Sequence, residues 1–262
     1  MNIIVIANKK GGVGKTTTAQ NLASALACGG RVILALDMDA QANLSRAWGV
    51  TAPEKSVLDV LRGKASWKEA SLPVEKHENG CVLLVPAVRE LAALPELFAQ
   101  ELGKEFLLKE ALASLTQAVD MVIIDSPPAL DLLAVNCYVA ANWLLVPAQC
   151  EFFSLEGLKL MGDDMRRVQA RLNPGLDMLA VVPTLVDRRK RLCRDVLDWL
   201  GRLDDGWKVT RTVIRDNVAL AEAPSHGQSI FDYDARSNGA QDYALLAEEL
   251  AARLEGGHHG KE

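Results

Sequence analysis

The residues with the most chemical content are Lys15 and Thr16, which follow Lys10-Gly11-Gly12-Val13-Gly14 and precede Thr17 and Thr18. Glycines let backbone N–H groups close round an anion, and a helix N-terminus behind them adds partial positive charge. In that setting the Lys15 ammonium reaches the outer phosphates of a nucleotide, and the Thr16 hydroxyl is placed to ligate magnesium. Two aspartates follow apolar runs, at the strand ends where open α/β sheets bind ligands. Arg31 to Leu36 leads into Asp37-Met38-Asp39. Asp39 reads either as part of a solvated turn or as a carboxylate beside a γ-phosphate. Met121 to Ile124 leads into Asp125-Ser126-Pro127-Pro128, and Asp125 reads as the carboxylate that holds a magnesium-bound water.

These side chains need strands to carry them. The run Ile3 to Ala7 predicts a buried strand before the glycine turn, and Ala19 to Ala27 predicts a helix with Leu22 and Leu26 on one face, stopped by Gly29-Gly30. Further strands are expected at 31–36, 82–86, 120–125, 143–147, 181–186 and 209–214. Ser56 to Gly63 predicts a short capped helix. Longer helices are expected over 87–99, 104–118, 154–172 and 239–254. Trp48 and Trp67 read as packing residues. Strands alternate with helices almost end to end, without repeat or linker. The expected fold is therefore α/β, a single P-loop domain over 1–255 with a mostly parallel twisted sheet and helices on both faces. Residues 256–262 read as a loose tail, whose His258 and His259 face solvent rather than a metal.

Composition narrows the function. Apolar residues make up 49% of the 262, enough for a sizeable core, and the net charge of −5 means that any nucleic-acid binding must come from a local patch. Cys28, Cys81, Cys137, Cys150 and Cys193 stand alone without C-x-x-C spacing. A disulfide framework or zinc site is not expected, and a reducing cytosol is. The chain opens directly in a strand, so no signal peptide is expected, and no apolar run approaches the ~20 residues of a membrane span. The run Asp187 to Arg194 holds five basic residues against one acid, namely Arg188, Arg189, Lys190, Arg191 and Arg194. It can be a solvated face or a basic patch, with Lys208, Arg211 and Arg215 following later.

The loop lacks the glycine that the common phosphate-loop pattern has six residues before the lysine; Lys9 stands there. The stretch Lys10-Gly11-Gly12-Val13-Gly14-Lys15-Thr16 instead resembles the deviant Walker A motif of the ParA/MinD ATPases, with Lys10 at the signature-lysine position. Asp37-Met38-Asp39-Ala40-Gln41-Ala42-Asn43 resembles that family's switch segment D-x-D-x-Q-x-N, and Asp120 to Pro128 its D-x-x-x-x-D-[ST]-P-P. Pro147 to Leu158 resembles V-P-x-[QE]-x-E-[YF]-x-x-x-E-G-L. Arg215 to Ser225 resembles the ParA-type I-P-R-N-V-x-L-A-E-A-P-S, with Arg215 in place of the proline and Asp216 in place of the arginine.

The resemblance runs from Ile3 to Leu254 and implies a Soj-like ParA ATPase using ATP and Mg2+. It implies nucleotide contacts from Lys10, Gly11, Gly12, Val13, Gly14, Lys15, Thr16 and Thr17, and from Thr184, Ile214, Arg215 and Asp216. Metal binding falls on Thr16, with Asp39 and Asp125 acting through water. Catalysis falls on Lys15, on Asp39 positioning the attacking water, and on Lys10 crossing an ATP-sandwiched homodimer to the partner's nucleotide. The helix from Ser154 contributes to the dimer face. Nonspecific DNA binding, on the nucleoid in the cytoplasm, would draw on Arg188, Arg189, Lys190, Arg191, Arg194, Lys208 and Arg211. A ParB-like or other cargo adaptor would stimulate hydrolysis, the cargo being a centromere complex or a protein body such as a carboxysome or chemoreceptor cluster.

Three rival readings compete, of which a noncatalytic interaction module would lack Asp39 or Lys15, yet both are present. A MinD-like membrane ATPase needs a basic amphipathic C-terminal helix, whereas Leu245 to Glu255 is acidic, so no membrane partner is expected. A nitrogenase-reductase-like protein needs paired cysteines for an iron–sulfur cluster, and Cys137 and Cys150 lie outside the matching motif contexts.

Overall fold

The computed structural model describes residues 1–115, 118–151, 154–203 and 205–256. Residues 257–262 of the expected tail, and Phe152 and Phe153 of the motif after Pro147, lie outside them. The strands are β1 (Asn2–Ile6), β2 (Val32–Asp37), β3 (Leu72–Lys76), β4 (Cys81–Val85), β5 (Met121–Asp125), β6 (Trp143–Gln149) and β7 (Asp177–Thr184). Their order across the single sheet is β3-β4-β2-β5-β1-β6-β7. All neighbours pair in parallel except β3 with β4. The fold is thus α/β with a mostly parallel seven-stranded sheet.

The helices are α1 (Lys15–Cys28), α2 (Asn43–Ala47), α3 (Val57–Leu61), α4 (Trp67–Ala70), α5 (Leu94–Leu97), α6 (Leu107–Ala113), α7 (Leu132–Ala140), α8 (Ser154–Arg171), α9 (Arg191–Leu200), α10 (Val218–Glu222), α11 (Ile230–Tyr233) and α12 (Asn238–Gly256). They cover both faces. Successive side chains of a strand point to opposite faces, so each strand feeds two cores. Ile4, Ile6, Ile33, Ala35 and Ile123 pack with Leu22 and Leu26 of α1 and Tyr243, Leu246 and Leu250 of α12. Val5, Leu34, Leu36, Val122, Ile124, Leu144 and Val146 pack with α3, α6, α7, α8 and α9. Strands buried on both faces read as unbroken Val, Ile and Leu runs, which is why β1, β2 and β5 were visible in the sequence.

Trp48 and Trp67 are buried packing residues, their indole N–H groups donating to Glu75 Oε1 and Ala111 O, both at 2.7 Å. Ser56 caps α3 in a capping box with Asp59. Three expectations are corrected. The helix over 87–99 is a 3₁₀ turn at Arg89–Ala93 followed by α5, because Pro95 has no N–H and fits only a first turn. The helix from Lys104 is a 3₁₀ turn at Lys104–Phe106 followed by α6, which ends at Ala113. The strand over 209–214 is reduced to isolated bridges, Val181 with Val209 and Val186 with Arg215. Glu249 of α12 accepts the backbone N–H groups of Arg211 and Thr212, both at 2.9 Å, so they are withdrawn from a ladder. The antiparallel edge strand β3 and the helices α7 and α9 were not anticipated.

Candidate functional site

The loop Ala7–Gly14 leaves the carboxyl end of β1, which lies between β5 and β6 in mid-sheet. Connections part to either side there, and a crevice opens at the strand ends. Gly12 and Gly14 have φ of 75° and 87°, a left-handed backbone that glycine adopts without strain. A Cβ built on Gly12 meets no atom within 4 Å, so the concavity is open space rather than packed protein. Gly14 caps α1 without a side-chain hydrogen bond, and the first turn of α1 carries no acid. Its N–H groups remain for an anion.

Lys15 Nζ donates to Lys10 O at 3.2 Å. Burial lowers its pKa, and the charges of Asp125 and Asp39 work against that fall. Thr16 Oγ1 donates to Asp125 Oδ2 at 2.7 Å. Asp125 is buried, and among the described residues its Oδ1 finds no hydrogen-bond donor. Burial pushes the Asp125 carboxyl upward, and the Asp37 charge adds to the shift. The β2–β5 register sets Asp37 opposite Asp125. Asp37 is itself raised by burial, although Ser45 donates to its Oδ2 through N–H at 2.8 Å and Oγ at 2.7 Å.

A buried carboxylate oxygen without a donor, beside a threonine hydroxyl and a second acid, is the hard-oxygen set that a divalent cation satisfies. Among the described residues no group of three His, Cys, Asp or Glu side chains is placed to hold a metal. Magnesium takes few protein ligands and completes its shell with water and phosphate oxygens. Asp39 is half-buried, and its Oδ1 accepts the Gln41 N–H at 2.9 Å.

The other expected contacts are distributed unevenly. Thr17 lies in the first turn of α1, and Thr16 and Thr17 line a cavity of about 350 Å³ with Gln20, Arg46, Pro224 and Ser225. Thr184 Oγ1 donates to Val13 O at 2.8 Å and so bears on the loop backbone. Ile214 is buried, its N–H on Pro183 O at 2.8 Å. The Arg215 guanidinium is engaged by Asp242 of α12, with Nη2 at 2.6 Å from Oδ1. Asp216 is exposed. Lys10 Nζ meets Glu151 Oε2 at 2.5 Å and Gln149 Oε1 at 3.3 Å in the same chain. A cavity of about 990 Å³ opens far from the loop, at the amino ends of β1, β6 and β7.

All seven candidate DNA-contacting residues are exposed. Arg188, Arg191 and Arg194 line one groove with Arg211. Arg189 is bidentate to Asp187, at 2.8 and 3.0 Å, and Lys190 Nζ lies 3.9 Å from the same carboxylate. Lys208 turns to the adjoining cavity, 3.2 Å from Asp177 and over the Trp143 ring.

The places of Asp37, Ser45, Glu151 and Asp164 around the loop are not written in local sequence. Asp37 was visible in the D-x-D pair. Its part in the site needed the strand register, which no local pattern encodes.

A family model described as an AAA domain matches residues 1–178. The chromosome-partitioning ATPase Soj of Treponema pallidum is 39% identical over 250 residues, 95% of this chain and 97% of that protein. The chromosome partitioning protein ParA of Caulobacter vibrioides is 39% identical over 257 residues, 97% of this chain and 95% of that one. The crystal structure of cobyrinic acid a,c-diamide synthase from Mycobacterium smegmatis, with bound ATP analog and magnesium, matches with a TM-score of 0.83 at 32% identity, covering 98% of this chain and 97% of that one. The chain belongs to the ParA/Soj family of ATPases.

Proposed function

We propose that the chain hydrolyses Mg-ATP at the carboxyl ends of β1, β2 and β5, and that the ATP-bound form is a homodimer which binds DNA without sequence preference and positions a cargo. One observation carries the reading. Lys15, Thr16, Asp39 and Asp125 come from three separate sequence motifs, yet the charges of both aspartates act on the Lys15 ammonium and Thr16 is hydrogen-bonded to Asp125.

Phosphoryl transfer is mostly positioning and charge neutralisation. The α1 N-terminus and the loop amides hold the phosphates, and Lys15 balances charge on the outer ones. Thr16 would hold the magnesium ion, with Asp125 and Asp39 acting through its water, and the ion would supply Lewis-acid stabilisation of the phosphate oxygens. Asp39 orients the attacking water. Lys10 reaches the nucleotide of the partner. The cavity beside Thr17, Pro224 and Ser225 is the space offered to the nucleoside.

A ParB-like or other adaptor that accelerates hydrolysis would turn this cycle into directed release. The partitioning relatives support that class of cargo. Among the described residues no helix is long and apolar enough to cross a membrane.

The test is an ATP-hydrolysis assay with and without Mg2+, run beside light scattering and DNA retention in ATP and ADP. Hydrolysis that needs Mg2+, with dimerisation and DNA binding only in ATP, supports the reading. A wild-type ATP dimer that does not bind DNA overturns that part of the reading and favours a membrane or protein surface as the matrix.

A further inference from the structure

Three consecutive loop residues are tied by their side chains to the limb formed by β6 and α8. Asn8 Nδ2 donates to Pro147 O at 2.7 Å, and Lys10 meets Gln149 and Glu151. Between them Lys9, which stands where the common phosphate loop has glycine, places Nζ 2.6 Å from Oδ2 of Asp164 on α8.

The two lysines have unlike partners. Glu151 keeps 47% of its side chain exposed, Asp164 only 3%. Asp164 lies against a small cavity walled by Asn8, Lys9, Pro127, Leu130, Tyr138 and Met161. It therefore sits where the phosphate loop, the turn after Asp125, α7 and α8 meet. Among the described residues no hydrogen-bond donor of good geometry reaches its Oδ2, and Arg167 Nη1 is 3.9 Å from Oδ1. The compensation for this buried charge is the Lys9 ammonium, brought down from the surface.

The pair holds the peptide next to the phosphate lysine. Lys10 O accepts from Lys15 Nζ at 3.2 Å, and Lys10 N–H donates to Asn8 Oδ1 at 3.0 Å. A shift of Lys9 thus moves the carbonyl on which Lys15 rests.

We propose that Asp164, acting through Lys9, is a positioning residue for the phosphate loop, joining α8 to the first half of the loop so that nucleotide occupancy is transmitted to α8. The inference rests on the reading of the chain as an ATPase that dimerises with ATP.

The decisive variant replaces both charges at once, Lys9→Met with Asp164→Leu, which leaves no lone buried ion. Thermal unfolding, Mg-ATP affinity by calorimetry and ATP-dependent dimerisation by light scattering are measured on the full chain. The expected result is a Tm near that of wild type, with ATP bound about tenfold more weakly, as befits groups coupled through one network, and with less dimer at a given ATP saturation. Wild-type affinity and dimerisation in that variant would overturn the proposal. Should the pair not fold, Lys9→Arg and Lys9→Gln decide. Retained affinity with arginine and weakened affinity with glutamine support the strut, and equal affinities exclude it. A wild-type chain that binds ATP yet stays monomeric refutes the dimer reading instead, and the affinity comparison still judges Asp164.

Discussion

Lys10 and Lys15 share a loop but not an environment. Lys15 is drawn in among Asp125, Asp39 and the loop backbone, whereas Lys10 keeps 37% of its side chain exposed and pairs with a half-exposed Glu151. An ion pair open to water is worth little and is easily exchanged. In the proposed dimer Lys10 would leave Glu151 for a phosphate of the partner chain, where a charge-assisted bond in a drier site is stronger. Lys10→Ala is expected to bind ATP but to remain monomeric, and light scattering in ATP reads this directly. Lys15→Ala is expected to lose nucleotide binding in an equilibrium titration. Asp39→Ala is expected to bind ATP normally and to lower kcat by roughly 100-fold or more, the range for loss of a positioned proton acceptor. Its ATP-bound dimer should then accumulate. An Asp39→Ala enzyme that turns over at the wild-type rate would remove that residue from the mechanism.

At the scale of elements, the site depends on parallel strands arriving in register. Asp37 and Asp125 end β2 and β5 side by side because Ile33 pairs with Met121 at their starts. β2 is held on its other side by β4. The turn feeding β4 is crowded against the end of α1, since a Cβ at Gly80 would lie 2.3 Å from Ala27 O and 2.6 Å from Arg31 O. Both are backbone atoms, so no side chain can rotate out of the way. Gly80→Ala should destabilise the fold by about 3 kcal/mol, at the upper end for overpacking, and lower Tm by roughly 6–12 °C in calorimetry. A Tm unchanged within error would mean that the hairpin yields without disturbing β4.

For the whole molecule the proposed DNA binding has to be reconciled with an acidic chain. The net charge is −5, yet Arg188, Arg191, Arg194 and Arg211 gather round one groove. Arg189 contributes less than its exposure suggests, because it is bidentate to Asp187 and holds that carboxyl down at about 2. One chain offers few free cations for phosphates, and a dimer doubles them. Each neutralised phosphate adds about 0.9 to the slope of log affinity against log salt. Binding should be steep in salt and stronger in ATP than in ADP. Arg191→Glu with Arg194→Glu should abolish it while leaving basal ATP hydrolysis unchanged. Filter binding across a salt series tests both points, and an unaltered slope in the double variant would exclude the groove.

Local sequence carried the chemistry of the phosphate loop, the acids at two strand ends and most of the strands, because each is written in contiguous residues. Glycine spacing sets the left-handed turns at Gly12 and Gly14, and doubly buried strands must be apolar throughout. What spans the chain was not legible. Two N–H groups of the 209–214 segment go to Glu249 some forty residues later, which overrides its strand propensity. Arg215 lies at a motif position that the resemblance assigns to nucleotide, but a carboxylate from α12 takes its guanidinium. The pairing of Asp37 with Asp125 and of Lys9 with Asp164 depends on strand order and helix placement. Such pairings are fixed by the packing of two cores on one sheet, which brings together groups that no window of sequence contains.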